Sequence, residues 1–199
     1  MVYNERKMEF FMEILYQDKQ IVVCVKPVGM DSEHDVPQAL EGEIFPIHRL
    51  DKNVGGVMVY ARTKAAAAAL SKAVQDGSLV KEYVAMVHGT PPESGDWTDF
   101  LFKDSAKNKV FVVKKERKGI KKARLEFVRL GENLVRIRLH TGRSHQIRVQ
   151  FASRGFPLVG DHKYGSKDDA TAPMLFSCCI TFPWNGEEKK FEYLPDWAK

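Results

Sequence analysis

VFVVKKERKGIKKARLEFVRLGENLVRIRLH, residues 110–140, holds three runs rich in β-branched and aromatic side chains: VFVVKK, ARLEFVRL and NLVRIRLH, separated by KERKG and GEN. Runs of this length between short turns are strand signals, and short turns join antiparallel neighbours. The stretch therefore predicts an antiparallel meander with basic side chains on one face. Just upstream, KEYVAMVHG (81–89) reads as a further strand and PPESGDW (91–97) as a turn-forming loop. IVVCV (21–25) predicts a buried strand ending in a Lys-Pro turn that exposes Lys26, and VMVYA (57–61) another short strand. TKAAAAALSKAVQDG (63–77) is a helix signal, with Thr63 as N-cap, five consecutive alanines and Gly77 at the helix end. Ile147, Val149 and Phe151 suggest helical spacing over His145–Arg154, and PLVGDHKYG and MLFSCCITFPW predict short strands and loops. The sum is an α+β chain, expected as one domain over residues 1–199 with residues 1–20 as an N-terminal extension.

Composition narrows the partner. Of 199 residues, 44% are hydrophobic and 29% charged, which suits a globular domain, and no apolar run approaches the ~20 residues of a membrane helix. The first 20 residues mix charges through apolar positions and carry no secretory pattern, so a cytoplasmic protein without membrane contact is expected. Cys24, Cys178 and Cys179 are odd in number and set among apolar residues, which excludes a disulfide framework or a C-x-x-C metal knuckle and predicts buried thiols. The net charge is +5, with lysines dense over 103–122 and seven arginines between Arg124 and Arg154. Such a distribution suits a polyanion, nucleic acid being the commonest.

The candidate chemistry centres on HRLDKNVGG (48–56), where Asp51 is a turn residue, a metal ligand or a nucleophile. His48, His140, His145 and His162 could join it around a metal, but His140 and His145 are five apart and no H-E-x-x-H occurs, so no metal is expected. There is no G-x-S-x-G elbow and no G-x-x-x-x-G-K-[ST] loop, which removes support for a serine hydrolase or a nucleotide hydrolase. A glycoside hydrolase needs two carboxylates flanking the bond, and no second acid stands out.

HRLDKNVGG, KEYVAMVHG and HTGRSHQIRVQFASRGFPLVGDHKYG, together with KPVGM (26–30), resemble in kind and order the motifs of the RluA-type pseudouridine synthases, over about residues 22–182. The resemblance implies the pseudouridine synthase catalytic fold, a mixed, mostly antiparallel central sheet flanked by helices and loops, with an active-site cleft. It implies isomerisation of uridine to pseudouridine in structured ribosomal or transfer RNA, by a monomer and without a cofactor. Asp51 matches the catalytic aspartate, which adds to the pyrimidine ring or attacks ribose carbon 1′. Tyr83 matches the tyrosine that stacks on the target base, Arg148 the basic partner of the aspartate, and Leu158 the apolar residue beside the base. Arg49 matches an arginine that fills the flipped base's space or contacts the backbone. His48, Lys26, Arg143 and His145 are expected as further substrate contacts.

Elementary chemistry is consistent with these roles. A guanidinium favours the ionised carboxylate that a nucleophile requires, and an aromatic face replaces stacking lost when a base is flipped, worth roughly 1–3 kcal/mol. The residues alone leave open a core role for Tyr83 and Leu158, a surface role for Arg148, and loop hydrogen bonding for His145 and Gln146. Two departures stand out. Val54-Gly55-Gly56-Val57 replaces the family's threonine-serine-glycine-leucine, and Gln150 stands where a histidine is frequent. The first keeps a second reading alive, a non-catalytic RNA-binding protein on the same scaffold. An S4 RNA-binding module is not expected ahead of KPVGM, which would leave target selection to the catalytic domain.

Overall fold

The computed structural model describes residues 12–199; residues 1–11 of the anticipated N-terminal extension lie outside the described residues. Eleven strands form one sheet: β1 (Glu13–Gln17), β2 (Ile21–Lys26), β3 (Phe45–Pro46), β4 (Gly55–Ala61), β5 (Val80–Met86), β6 (Ser94–Asp104), β7 (Lys109–Val113), β8 (Ile120–Arg129), β9 (Leu134–Leu139), β10 (Leu175–Trp184) and β11 (Glu187–Glu192). Their order is β1-β2-β4-β10-β5-β9-β8-β6-β7, with β3 beside β4 and β11 beside β10. Three helices accompany them: α1 (Asp35–Ala39), α2 (Lys64–Asp76) and α3 (Gln146–Ala152). No described helix is long and apolar enough to cross a membrane.

The mixed, mostly antiparallel α+β sheet matches the expected class, and its local elements follow from their residues. Thr63 Oγ1 accepts from the Ala66 N–H at 3.2 Å, Gly77 takes the left-handed conformation at φ 80°, and the alanine run between them forms α2. Leu70 and Ala73 of that helix pack on Val57, Val59, Ile180 and Phe182. A second cluster joins Tyr60, Tyr83, Phe127 and Leu158 to Ile147 and Phe151 of α3. Phe151 meets Trp97 and Phe127 at ring-centroid distances of 4.7 and 5.2 Å, an edge-on aromatic trio that anchors the short helix.

Three expectations need correction. PPESGDW is not all loop, because Ser94–Trp97 open the eleven-residue β6, whose polar alternation reflects one exposed face rather than a turn. The 110–140 segment is not a simple meander either. Phe102 of β6 pairs with both Phe111 of β7 and Ile120 of β8, so β6 inserts between them and KERKG spans a strand instead of joining neighbours. Part of the supposed extension is β1, paired antiparallel with β2.

The seam that matters for the site is the parallel pair β4–β10, where Gly55 and Gly56 face Phe176 and Ser177. A Cβ on Gly56, at φ 133°, would stand 2.4 Å from the Ser177 carbonyl oxygen and 2.5 Å from its nitrogen. The glycine thus lets the backbones of β4 and β10 meet, five residues after Asp51. Gly56→Ala is expected to lower stability by about 2–5 kcal/mol in urea unfolding, through overpacking plus backbone strain, while Gly77→Ala, also at positive φ but with open space around it, costs about 1 kcal/mol. Equal costs would mean that the β4–β10 contact carries no special constraint.

Candidate active site

Asp51 lies in the loop leading into β4, and both of its neighbours are pinned. The Ser32 hydroxyl donates to the Leu50 carbonyl at 3.1 Å and accepts from the Leu50 N–H at 3.3 Å. The Lys52 carbonyl accepts from the Gly29 N–H at 2.8 Å, and the Asp51 carbonyl accepts from the Val54 N–H at 2.9 Å. Tyr60 in turn donates to the Ser32 carbonyl. Backbone freedom at Asp51 is therefore removed by the KPVGM segment and the residues following it, 20 residues upstream.

Lys26 belongs to this clamp, contrary to the expectation of an exposed turn. It has no exposed surface, and its ammonium donates to the carbonyls of Pro27 and Met30 at 2.9 and 2.8 Å, with Lys52 at 3.4 Å. Burial pushes its pKa down to about 8, opposed by the charges of Asp31, Asp51 and Asp35. A lysine held this way shapes the loop and does not face a ligand.

The carboxylate of Asp51 meets Arg148 on α3, with Arg148 Nη1 donating to Oδ2 at 3.1 Å. The rest of the guanidinium is held by Asp161, through Nε to Oδ2 at 2.7 Å and Nη2 to Oδ1 at 2.8 Å. Both members of the second pair are almost completely buried, at 4% and 1% side-chain exposure, whereas Asp51 keeps 23%. Burial opposes the Arg148 charge, and the Asp161 and Asp51 carboxylates more than offset that, so its pKa is raised. The arrangement presents one oxygen-binding edge of a fixed guanidinium to a half-open carboxylate.

His145 completes the shell. It stands at φ 50°, ψ 25°, a left-handed conformation that costs a non-glycine residue on the order of 1–3 kcal/mol, immediately before α3. The Tyr164 hydroxyl accepts from the Val110 N–H at 2.9 Å and lies 2.8 Å from His145 Nδ1. The other ring nitrogen, Nε2, stands 3.7 Å from Asp51 Oδ2. Burial lowers the His145 pKa, with the Asp51 charge opposing. Gln146 fastens the preceding loop by accepting from Thr141 Oγ1 and the Arg143 N–H and donating to the Arg124 carbonyl.

Asp51, Tyr83, Arg148, His145, Arg49 and Arg143 line one small hollow, and a cleft of about 600 Å³ opens beside it, lined by His48, Arg49, Asp51, Lys81, Tyr83 and Arg143 among others. Tyr83 is 6% exposed; burial, then the Asp51 charge, raise its pKa, so it is a neutral phenol. Arg49 is 66% exposed and pairs with Glu33 at 3.0 Å, an exposed contact weak enough to release the side chain. Arg143 is exposed, with Nε donating to the Lys122 carbonyl. Leu158 is fully buried in the cluster that holds Tyr83, bridges Val87 and lines neither space. The apolar lining of the hollow is Leu50, Val54, Leu139, Ile147 and Leu175, the last at the start of β10 opposite Ala85. Asp161 and Leu175 are thus the residues that sequence reasoning missed; both lay in quoted segments, but no local spacing ties them to Asp51.

His48 faces the cleft with only part of its surface. Its Nε2 accepts from the Val59 N–H at 3.3 Å, so the proton rests on a shielded Nδ1 without a partner among the described residues. Burial, with the Lys81 charge adding to it, pushes its pKa down to about 3.

A strand-rich scaffold that fixes a lone carboxylate against a buried arginine, at the edge of a basic, nucleotide-sized cleft, defines a class of carboxylate-centred sites for polyanionic substrates. The family model for RNA pseudouridylate synthase matches residues 20–153, and the dual-specificity RNA pseudouridine synthase RluA of Escherichia coli (strain K12) is 34% identical, over 92% of this chain and 93% of that protein. The chain belongs to the RNA pseudouridylate synthase family. An uncharacterized RNA pseudouridine synthase of Aquifex aeolicus (strain VF5) is 31% identical over 82% of this chain, which spans 59% of that relative's length. In fold, human RNA pseudouridylate synthase domain containing 1 superposes with a TM-score of 0.79 at 21% identity, covering 93% of this chain and 84% of that one.

The His48 environment generates a pH prediction. Its folded pKa lies below the unfolded value of 6.5, so the unfolded chain binds the extra proton first and stability falls as pH drops from 6.5 toward 3. His48→Leu should flatten the urea-measured stability profile over this window by up to about 1.4 kcal/mol per pH unit, at the cost of the Val59 hydrogen bond. An unchanged slope would mean that His48 titrates normally.

Proposed function

We propose that the chain isomerises uridine to pseudouridine in structured RNA, ribosomal or transfer, with Asp51 as the nucleophile and no cofactor. The observation that carries this is the Asp51 carboxylate 3.1 Å from the buried guanidinium of Arg148, at the edge of a cleft of about 600 Å³, in a member of this family. The reaction breaks the N1–C1′ bond and forms C5–C1′; N1 gains a proton and C5 loses one, so the product is an isomer of the substrate. Asp51 attacks either the pyrimidine ring or C1′, and both routes need it ionised and aimed, which the adjoining guanidinium supports.

A uridine in structured RNA must leave its stack to reach this hollow, at a cost of a few kcal/mol. Tyr83 and Leu175 offer it an aromatic and an apolar wall, and Arg49, once released from Glu33, fills the vacated space or contacts the backbone. Arg143 and His145 contact the substrate or its backbone from the 140–145 loop. A cytoplasmic monomer fits this role.

Asp51→Asn keeps the size of the side chain and removes its nucleophilicity. It should abolish pseudouridine formation, read by chemical labelling of ribosomal and transfer RNA, and leave RNA affinity within about threefold. Undiminished activity would end the assignment, and a wild-type chain that binds RNA without converting it would favour a binding protein on the same scaffold.

A further inference from the structure

Lys81 is a half-buried cation of the cleft that the active-site network leaves unused. It stands two residues before Tyr83 on β5, so both side chains project to the same side of the strand. Leu139 of β9 lies directly opposite Lys81 and lines the hollow that holds Asp51. The backbone of the loop between β9 and α3 closes over the lysine: a Cβ on Gly142 would come within 3.4 Å of Nζ. Lys81 is half-buried, and among the described residues its ammonium makes neither a hydrogen bond nor an ion pair. By contrast Lys26, on the other side of the Asp51 loop, meets two carbonyls within 2.9 Å and a third at 3.4 Å.

Burial of the Lys81 side chain lowers its pKa, while the ammonium opens onto the cleft. The cleft lining offers no relief from within. Its one carboxylate is Asp51, already engaged by Arg148, and the other ionisable side chains there are Arg49, Arg138, Arg143, His48 and His140. The complement of such a lining is an anion, and a space of about 600 Å³ takes a nucleotide and not merely a base. A nucleotide within RNA brings one anionic group, its phosphodiester, whose oxygens only accept.

We infer that Lys81 binds the phosphodiester that flanks the target nucleotide, locking the RNA backbone in the cleft while the base occupies the hollow at Asp51. This rests on the RNA pseudouridine synthase reading and adds to it a phosphate-binding position within the cleft. Lys81 is a positioning residue: it touches the substrate backbone and not the bonds that change.

The test uses RNA that the wild-type chain converts, synthesised with a single neutral methylphosphonate in place of the phosphate 5′ or 3′ of the target uridine. With the wild-type chain, one of the two replacements should lower kcat/KM by about tenfold or more, the usual weight of a charge-assisted hydrogen bond. With Lys81→Gln, the unmodified RNA should show that same loss and the same methylphosphonate should add less than twofold. Lys81→Arg should restore most of the activity and the sensitivity to the methylphosphonate. Full additivity of the two changes, or indifference of the wild-type chain to both methylphosphonates, overturns the inference and leaves the activity standing. The second result needs no variant and holds even if Lys81→Gln misfolds. A wild-type chain that converts no RNA overturns the functional reading and this inference with it.

Discussion

The buried guanidinium of Arg148, shared between Asp161 and Asp51, is the interaction on which the rest of the site depends. Removing one partner of a buried ion pair costs on the order of 3–5 kcal/mol, because the survivor is left charged and unsolvated. Both ends must therefore be held. Asp161 is fixed by its own loop: its N–H donates to the Leu158 carbonyl, and its carbonyl accepts from the N–H groups of Tyr164 and Ser166. That loop is clamped in turn, as Asp168 and Ser166 gather the Gly160 N–H and His88 Nε2. On the other side, the KPVGM segment and Ser32 pin the residues before and after Asp51. The guanidinium is the bolt between these two rigid loops, and α3 carries it because Gln146–Phe151 are all buried.

The charge of the chain has two destinations. Of the seven arginines between Arg124 and Arg154, four pair with carboxylates: Arg124 with Asp96, Arg136 with Glu82, Arg148 with Asp161, and Arg154 with Asp99. These arginines organise the sheet and α3, and Arg154 also stacks 4.3 Å over the Trp97 ring. The cations left to meet an anionic partner are fewer than the composition suggests, and those that line the cleft, Arg49, Lys81, Arg138 and Arg143, share it with Asp51. Net charge thus pointed to the class of partner, whereas the distribution of ion pairs locates the surface that would meet it.

The strands and α2 were legible because hydrophobic periodicity, a threonine cap and a terminal glycine are local signals. The trio Asp51, Tyr83 and Arg148 was singled out by resemblance and not by a local signal, and the fold brings the three to one hollow. What could not be read was long-range. Asp161 meets Arg148 across 13 positions, and Arg148 meets Asp51 across 97, with no periodicity linking them. Lys26 looked exposed because a Lys-Pro turn normally is, but three carbonyls from two segments enclose it here. Leu158 and Leu175 are both apolar residues near turns, and only the register of β10 against β5 puts Leu175 at the site. Gly56, which looked like a departure beside a lost hydroxyl, proves to be required by the approach of Ser177.

If the guanidinium is the bolt of the site, Asp161 acts on pseudouridine formation only by holding Arg148 against Asp51. A double-mutant cycle on the rate of pseudouridine formation tests it, using Asp161→Asn and Arg148→Lys singly and together under single-turnover conditions. A misplacement of about 1 Å can cost on the order of 100-fold in rate, so Asp161→Asn alone should slow conversion by roughly that factor and add less than about threefold once Arg148 is lysine. Independent, multiplying effects of the two substitutions would mean that Asp161 acts by a route other than Arg148.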